Sequence, residues 1–191
     1  VLVTGEIGGS VTFGAGPAVG GNGDADVFVA KLAAASGTPT WSRGYGGTLR
    51  DSGSAIRTNA QGDVFVTGGF HGSVNFGGGA LSPNATHDLF VLKLTSAGAH
   101  GWSERWGGSN AAEGAGSDSG RALAVDASGD VFIGGQYVGA SDLGGTSLGE
   151  QGSLDGFVAK YSGANGAHVW SHPFGGSGLD TVASIALDAS G

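Results

Sequence analysis

The chain has 191 residues, 39% of them hydrophobic, which is enough length and apolar content to bury a core. Sixteen acidic against eight basic side chains give a net charge of −8, which repels phosphate backbones and anionic lipid, so no nucleic-acid partner is expected. No apolar run approaches the roughly 18 residues of a membrane span, so no membrane insertion is expected either, and the lack of cysteine excludes disulfides, thiolate metal sites and cysteine nucleophiles.

Glycine supplies 42 residues, set between short regular apolar blocks as turn residues are and unlike a disordered or collagen-like chain. Methionine is absent even at position 1, which reads as a stretch processed or excised from a longer protein, with any signal peptide outside it.

In chain order, the opening VLVTG is the first copy of a block that returns as NAQGDVFVTGGF at residues 59–70 and DASGDVFIGGQY at residues 126–137. Next comes DVFVAKL at Asp26–Leu32, repeated as DLFVLKL at residues 88–94 and DGFVAKY at Asp155–Tyr161, with offsets of 62 (88 − 26) and 67 (155 − 88) residues. A third block follows each copy: Trp41, Tyr45, Gly46, Gly47, then Trp102, Trp106, Gly107, Gly108, then Trp170, Phe174, Gly175, Gly176. A self-similar period of about 65 residues marks a repeat architecture with units near 1–50, 51–117 and 118–179.

Alternation and turn chemistry divide each unit into four strands. The first is short (54–58, 122–125, 184–187) and ends in Asn59-Ala60-Gln61-Gly62-Asp63 or Asp126-Ala127-Ser128-Gly129-Asp130, where Asn or Asp opens a hairpin turn and glycine takes the left-handed conformation. The second is 64–67 and its equivalents, the third 89–94 after a loop of about 15 residues, and the fourth 102–106 after a Ser-Ala-Gly turn. No helical periodicity occurs. Trp and the aromatic four residues later face the same way on the fourth strand, where they would pack between units.

The expected fold is all-β, with blades of four antiparallel strands stacked as in a β-propeller. A β-helix needs far shorter coils, and a sandwich would not repeat its own sequence three times. Val1 aligns with Val64 and Gly191 with Gly62 and Gly129, so residues 180–191 read as the first strand of a further blade, or of a circularly permuted one split between the two ends. Closed propellers have about four to eight blades. Three are too few, so additional blades or self-association are expected, since open strand edges seek partners.

The chain resembles the bacterial SBBP repeat family of β-propeller proteins found in secreted and surface proteins. The likeness rests on GDVFVTGGFHGSVNFGG (62–78), HDLFVLKL (His87–Leu94) and the 102–108 block, and it covers nearly the whole chain. It implies a propeller, commonly seven-bladed, without defined catalytic residues, and an extracellular or cell-surface location. In the third unit Gly134 replaces the Thr of VTG, and the loop 138–154 lacks the Asn-Phe-Gly-Gly pattern.

The residues with chemical potential are themselves repeated. Lys31, Lys93 and Lys160 hold one position, where a lysine among packed strands needs a partner, and the repeated Asp51, Asp118 and Asp180 are its expected acids. Trp41, Trp102, Trp106 and Trp170 are candidates for stacking on sugar rings, beside their reading as core residues. Asn22, Asp24 and Asp26 alternate as calcium loops begin, but Val27 and Ala33 stand where such a loop has glycine and glutamate, so the expectation is no cofactor, with calcium as the alternative.

Other signals carry less. The five histidines, His100 and His168 at one repeat position among them, show no zincin spacing and no nucleophile motif, and the glycine-rich 14–23 lacks the Lys-Ser/Thr ending of a phosphate loop. Asn84-Ala85-Thr86 matches a glycosylation sequon. The non-repeated acids Glu6, Glu104, Glu113 and Glu150 show no spacing that pairs them as a glycosidase requires.

The expected function is a non-enzymatic extracellular scaffold or adhesion module that binds protein or glycan through the variable loops near 6–25, 71–87 and 138–154. The alternatives are a carbohydrate-binding lectin, a propeller-based glycoside hydrolase or lyase, and the subunit of a self-assembling surface filament.

Overall fold

The computed structural model describes residues 1–20, 23–84, 86–108, 118–149 and 152–188. Among them the regular structure is all β. Unit 1 contains β1 (Leu2–Ile7), β2 (Ser10–Thr12), β3 (Ala18–Gly20), β4 (Asp26–Leu32) and β5 (Pro39–Tyr45). Unit 2 contains β6 (Ser52–Thr58), β7 (Val64–His71), β8 (Val74–Asn75), β9 (Ala80–Leu81), β10 (His87–Leu94) and β11 (His100–Gly108). Unit 3 contains β12 (Ser119–Val125), β13 (Val131–Tyr137), β14 (Ser141–Asp142), β15 (Asp155–Tyr161) and β16 (His168–Phe174).

Units 2 and 3 each contain the expected four-stranded antiparallel ladder, β6-β7-β10-β11 and β12-β13-β15-β16, the first extended to five strands by β14 of unit 3 on β11, while unit 1 has the three-stranded β1-β4-β5. The strands run longer than alternation alone marks, because ladder pairing continues through the glycines of β7 and the polar ends of β10 and β11. Two segments differ from expectation. The loops after β1 and β7 each contain a small hairpin, β2–β3 and β8–β9, with ladders only two or three residues long. Residues 184–187 form no strand. β6 and β12 each pair with the strand that follows them, and the copy of that strand at the start of the chain, β1, pairs with β4 alone. Among the described residues no ladder joins 181–188 to β1; Asp180 N–H donates to Leu154 O (2.8 Å) and Val182 N–H to Gly135 O (3.1 Å), tying the segment to unit 3.

The core lies between units. Side chains alternate along a strand, so a run such as DLFVLKL sends one set of apolar residues to each face. Val64, Val66, Phe90, Leu92 and Leu94 pack with Val27 and Val29 of unit 1. Phe65, Leu89, Val91 and Trp106 pack with Leu123, Ile133, Phe157 and Tyr161 of unit 3. The sheet of unit 2 is thus buried on both faces. The outward face of unit 3 is not: Phe174 is 54% exposed, whereas Trp106, at the same repeat position, is 8% exposed.

Candidate functional site

Two kinds of joint recur between the units, and both use the residues that looked most chemical. The first is a carboxylate bridge. Asp51 accepts the N–H groups of Gly47 (2.9 Å) and His71 (2.9 Å), joining the end of unit 1 to the far end of β7. Asp118 repeats this with Gly108 N–H (2.6 Å) and Val138 N–H (2.9 Å), and also accepts Ser141 Oγ–H (3.2 Å). Asp180 accepts Gly176 N–H (2.9 Å).

The bridge explains the repeated Gly-Gly. Its second glycine supplies the N–H, and a Cβ on the first would collide with the carboxylate of Asp26, Asp88 or Asp155, which lies against Gly46, Gly107 or Gly175. Burial pushes the carboxyls of Asp51 and Asp118 up from the usual range, against the bonds from their backbone donors. Asp88 is raised by burial too, and its Oδ2 accepts from Arg105 (2.9 Å).

The second joint is a shared carbonyl. Trp41 Nε1 (3.2 Å) and Lys31 Nζ (3.1 Å) both donate to Ser96 O in the turn of unit 2. Trp102 Nε1 (3.2 Å) and Lys93 Nζ (3.0 Å) donate in the same way to Gly163 O in unit 3. Each indole also lies over a turn glycine at φ +76°, Gly98 under Trp41 and Gly166 under Trp102, where a Cβ would sit 2.8 and 3.0 Å from the ring. A side chain there would meet both a left-handed backbone and an aromatic ring. Four residues further on, Trp106 stacks on Tyr161 of the next unit (3.9 Å between centroids).

The lysines do not pair with Asp51, Asp118 or Asp180. Lys93 pairs with Asp63 (3.1 Å), and Lys160 with Asp126 (3.0 Å) and Asp130 (3.0 Å). Register is the reason. Lys93 lies opposite Phe65, two residues from the hairpin aspartate, whereas Asp51 lies at the other end of the sheet beside Ser52, which pairs with Gly69. Although its burial works the other way, the Lys160 bond holds Asp126 below the ordinary carboxylate range.

Asn22 lies outside the described residues. Asp24 is exposed and Asp26 is buried against Gly46, so the two do not share a surroundings. No group of three or more His, Asp or Glu that could hold a metal occurs among the described residues. Glu113 and Glu150 also lie outside them, Glu6 binds Arg50 (2.7 Å), and burial raises Glu104. His100 and His168 make the same contact with Ser103 and Ser171, 3.1 and 3.2 Å. Asn84, of the sequon, donates its side-chain amide to Gly107 O (2.9 Å).

Two further features break the repeat. His71 and His87 face each other across β7 and β10 with ring centroids 4.1 Å apart, where unit 3 has Val138 and Leu154. Burial, with the neighbouring His71 adding to it, pushes the His87 imidazole down to about 4. An unfolded histidine titrates near 6.5, so the unfolded chain binds more protons between these values and stability falls as pH drops from about 6.5 toward 4. His87→Leu, copying unit 3, should flatten that part of the profile, read as the urea midpoint at several pH values across the window; an unchanged slope would exclude His87 as its source.

The second feature is a cavity of about 380 Å³, bordered by β1, β6, β12 and residues 183–185. Nothing in the spacing of one unit marks it, because it depends on β1, β6, β12 and residues 183–185 converging from different parts of the chain. Neither family models nor curated proteins match the chain.

Proposed function

We propose that the chain is part of a propeller-type repeat scaffold, extracellular or on the cell surface, which presents its variable loops to protein or glycan partners and carries no reaction of its own. The observation behind this reading is that the repeated Asp51 and Asp118, Lys31 and Lys93, and Trp41 and Trp102 are engaged in joints from one unit to the next. The first strands of successive units border one cavity, as radial stacking requires, and the likeness to SBBP repeats favours a surface location. A lectin reading has less to stand on. Trp41 and Trp102 give their indole N–H to the next unit and Trp106 is buried, which leaves Trp170 on the outward face of unit 3.

The same joints favour self-association. Unit 3 presents Trp170, Phe174 and an Asp180 with one engaged carboxylate oxygen, and β1 presents an edge that β7 and β13 have covered. A second copy docking head to tail would pair residues 181–187 with β1 in the β6–β7 register, putting Ile185 opposite Val3 as Ile56 lies opposite Val66. The chain has no cysteine, so the double variant V3C/I185C is a clean reporter. Oxidation should give reducible dimers and larger species. Monomer alone, whether uncrosslinked or closed by an intramolecular disulfide, would rule out head-to-tail pairing. A glycan array probes the lectin reading, which fails if the intact chain binds nothing on it.

A further inference from the structure

The eight cations of the chain sort by partner. Arg50, Lys93, Arg105 and Lys160 pair with carboxylates. Lys31 and Arg43 donate to carbonyls of the next unit, Ser96 O and Gly98 O. The two that remain, Arg57 and Arg121, have no carboxylate partner among the described residues, and both line the 380 Å³ cavity. Arg57 Nη1 donates to the adjacent Ile56 O (2.7 Å) and Arg121 Nε to Gln136 Oε1 (2.7 Å). A guanidinium has five N–H donors, so each keeps donors for a ligand.

Neither arginine is required by the repeat. Ala124 and Ala186 hold the position of Arg57, and Ser54 and Ala183 that of Arg121. Nor does overall composition favour them there: the chain has twice as many acids as bases, yet no Asp or Glu lines this cavity. The remaining wall combines side chains such as Ile56, Leu123 and Ile185 with the hydroxyls of Ser54 and Ser184, and most of its accessible surface is polar; Thr4, also in the wall, gives its hydroxyl to Phe28 O (2.8 Å). The volume falls within the roughly 300 to 1,000 Å³ usual for a small-molecule site, and the polar surface suits a charged, hydrogen-bonding ligand more than an apolar one.

We propose that this cavity binds a small organic oxyanion, with its carboxylate or phosphate group held by Arg57 and Arg121 and its body against the apolar and hydroxyl wall. Planar guanidinium forks match either group through paired N–H bonds. Head-to-tail pairing would engage Val3 and Ile185 of the cavity wall but neither β6 nor β12, so the arginine variants test the site and the cysteine pair tests the pairing.

Titration calorimetry of the intact chain at low salt would use D-glucuronate, inorganic phosphate and, as neutral counterpart, D-glucose. Saturable binding of at least one anion with a Kd of about 1 mM or below is expected, and none of glucose. R57Q and R121Q should each weaken that binding about tenfold, the value of a charge-assisted hydrogen-bond pair, and the double variant should abolish it. R50Q, which removes a guanidinium engaged by Glu6, should bind as the parent does. Glucuronate without phosphate would identify a carboxylate ligand, and phosphate without glucuronate a phosphorylated one. Thermal unfolding of each variant separates loss of a site from loss of the fold. The proposal is overturned if neither anion saturates, if glucose binds equally well, or if folded R57Q and R121Q bind like the parent.

Discussion

Asp118→Ala should lower the unfolding free energy by about 3 kcal/mol, measured by urea denaturation at neutral pH. The carboxylate of Asp118 is 5% exposed as a residue and accepts from Gly108 N–H, Val138 N–H and Ser141 Oγ–H. Its removal leaves buried donors unpaired, each costing roughly 1–3 kcal/mol, partly offset because a carboxylate that burial disfavours is removed with it. Asp118→Asn keeps one acceptor oxygen and should fall between alanine and the parent. Asp180→Ala is the control, since Asp180 accepts one N–H at the outward side of unit 3 and should cost less than about 1 kcal/mol. If the alanine variants at 118 and 180 unfold alike, the carboxylate bridge does not hold the units together.

Trp102→Ala should cost about 3 kcal/mol and Trp170→Ala about 1 kcal/mol or less, although the two hold one repeat position. Trp102 bonds to Gly163 O, lies over Gly166 and packs near Phe65 with ring centroids 6.2 Å apart. Trp170 has the corresponding intra-unit contact, with Phe132 at 5.9 Å, but no following unit beneath it. The difference between the two therefore reports the joint and not the residue. Trp102→Phe should recover most of the packing and lose the indole hydrogen bond, a smaller deficit of about 1 kcal/mol. Equal losses at 102 and 170 would show that this tryptophan acts within its own sheet.

Both expectations rest on the distinction between a residue's repeat position and its neighbours. The period, the strand order and the apolar alternation could be read from the sequence, because backbone pairing and side-chain alternation are local in range. VFVTG, DLFVLKL and the Trp-aromatic-Gly-Gly block each became the strand they predicted. Repetition also marked Lys93, Trp102 and Asp118 as architectural before any contact was known.

What repetition did not reveal was who touches whom. The lysines were expected to meet Asp51, Asp118 and Asp180, since an opposite charge at the same period was the simplest match. Antiparallel register instead carries Lys93 and Lys160 to the hairpin end, where Asp63, Asp126 and Asp130 lie, sends Lys31 to Ser96 O of the next unit, and leaves Asp51 and Asp118 to backbone N–H groups of two units. The role of the double glycine was likewise invisible, because it concerns a collision between Gly107 and a carboxylate 19 residues away in sequence (107 − 88).

The sequence by itself determined an all-β chain of three similar units with apolar residues on both faces of each sheet, because strand period and turn chemistry act over a few residues. Only the tertiary structure decided that residues 184–187 stand without a ladder partner, and that β1, β6, β12 and residues 183–185 border a shared cavity lined by both Arg57 and Arg121. Those outcomes depend on the packing of one unit against the next, and long-range packing is not written in the spacing of any single unit.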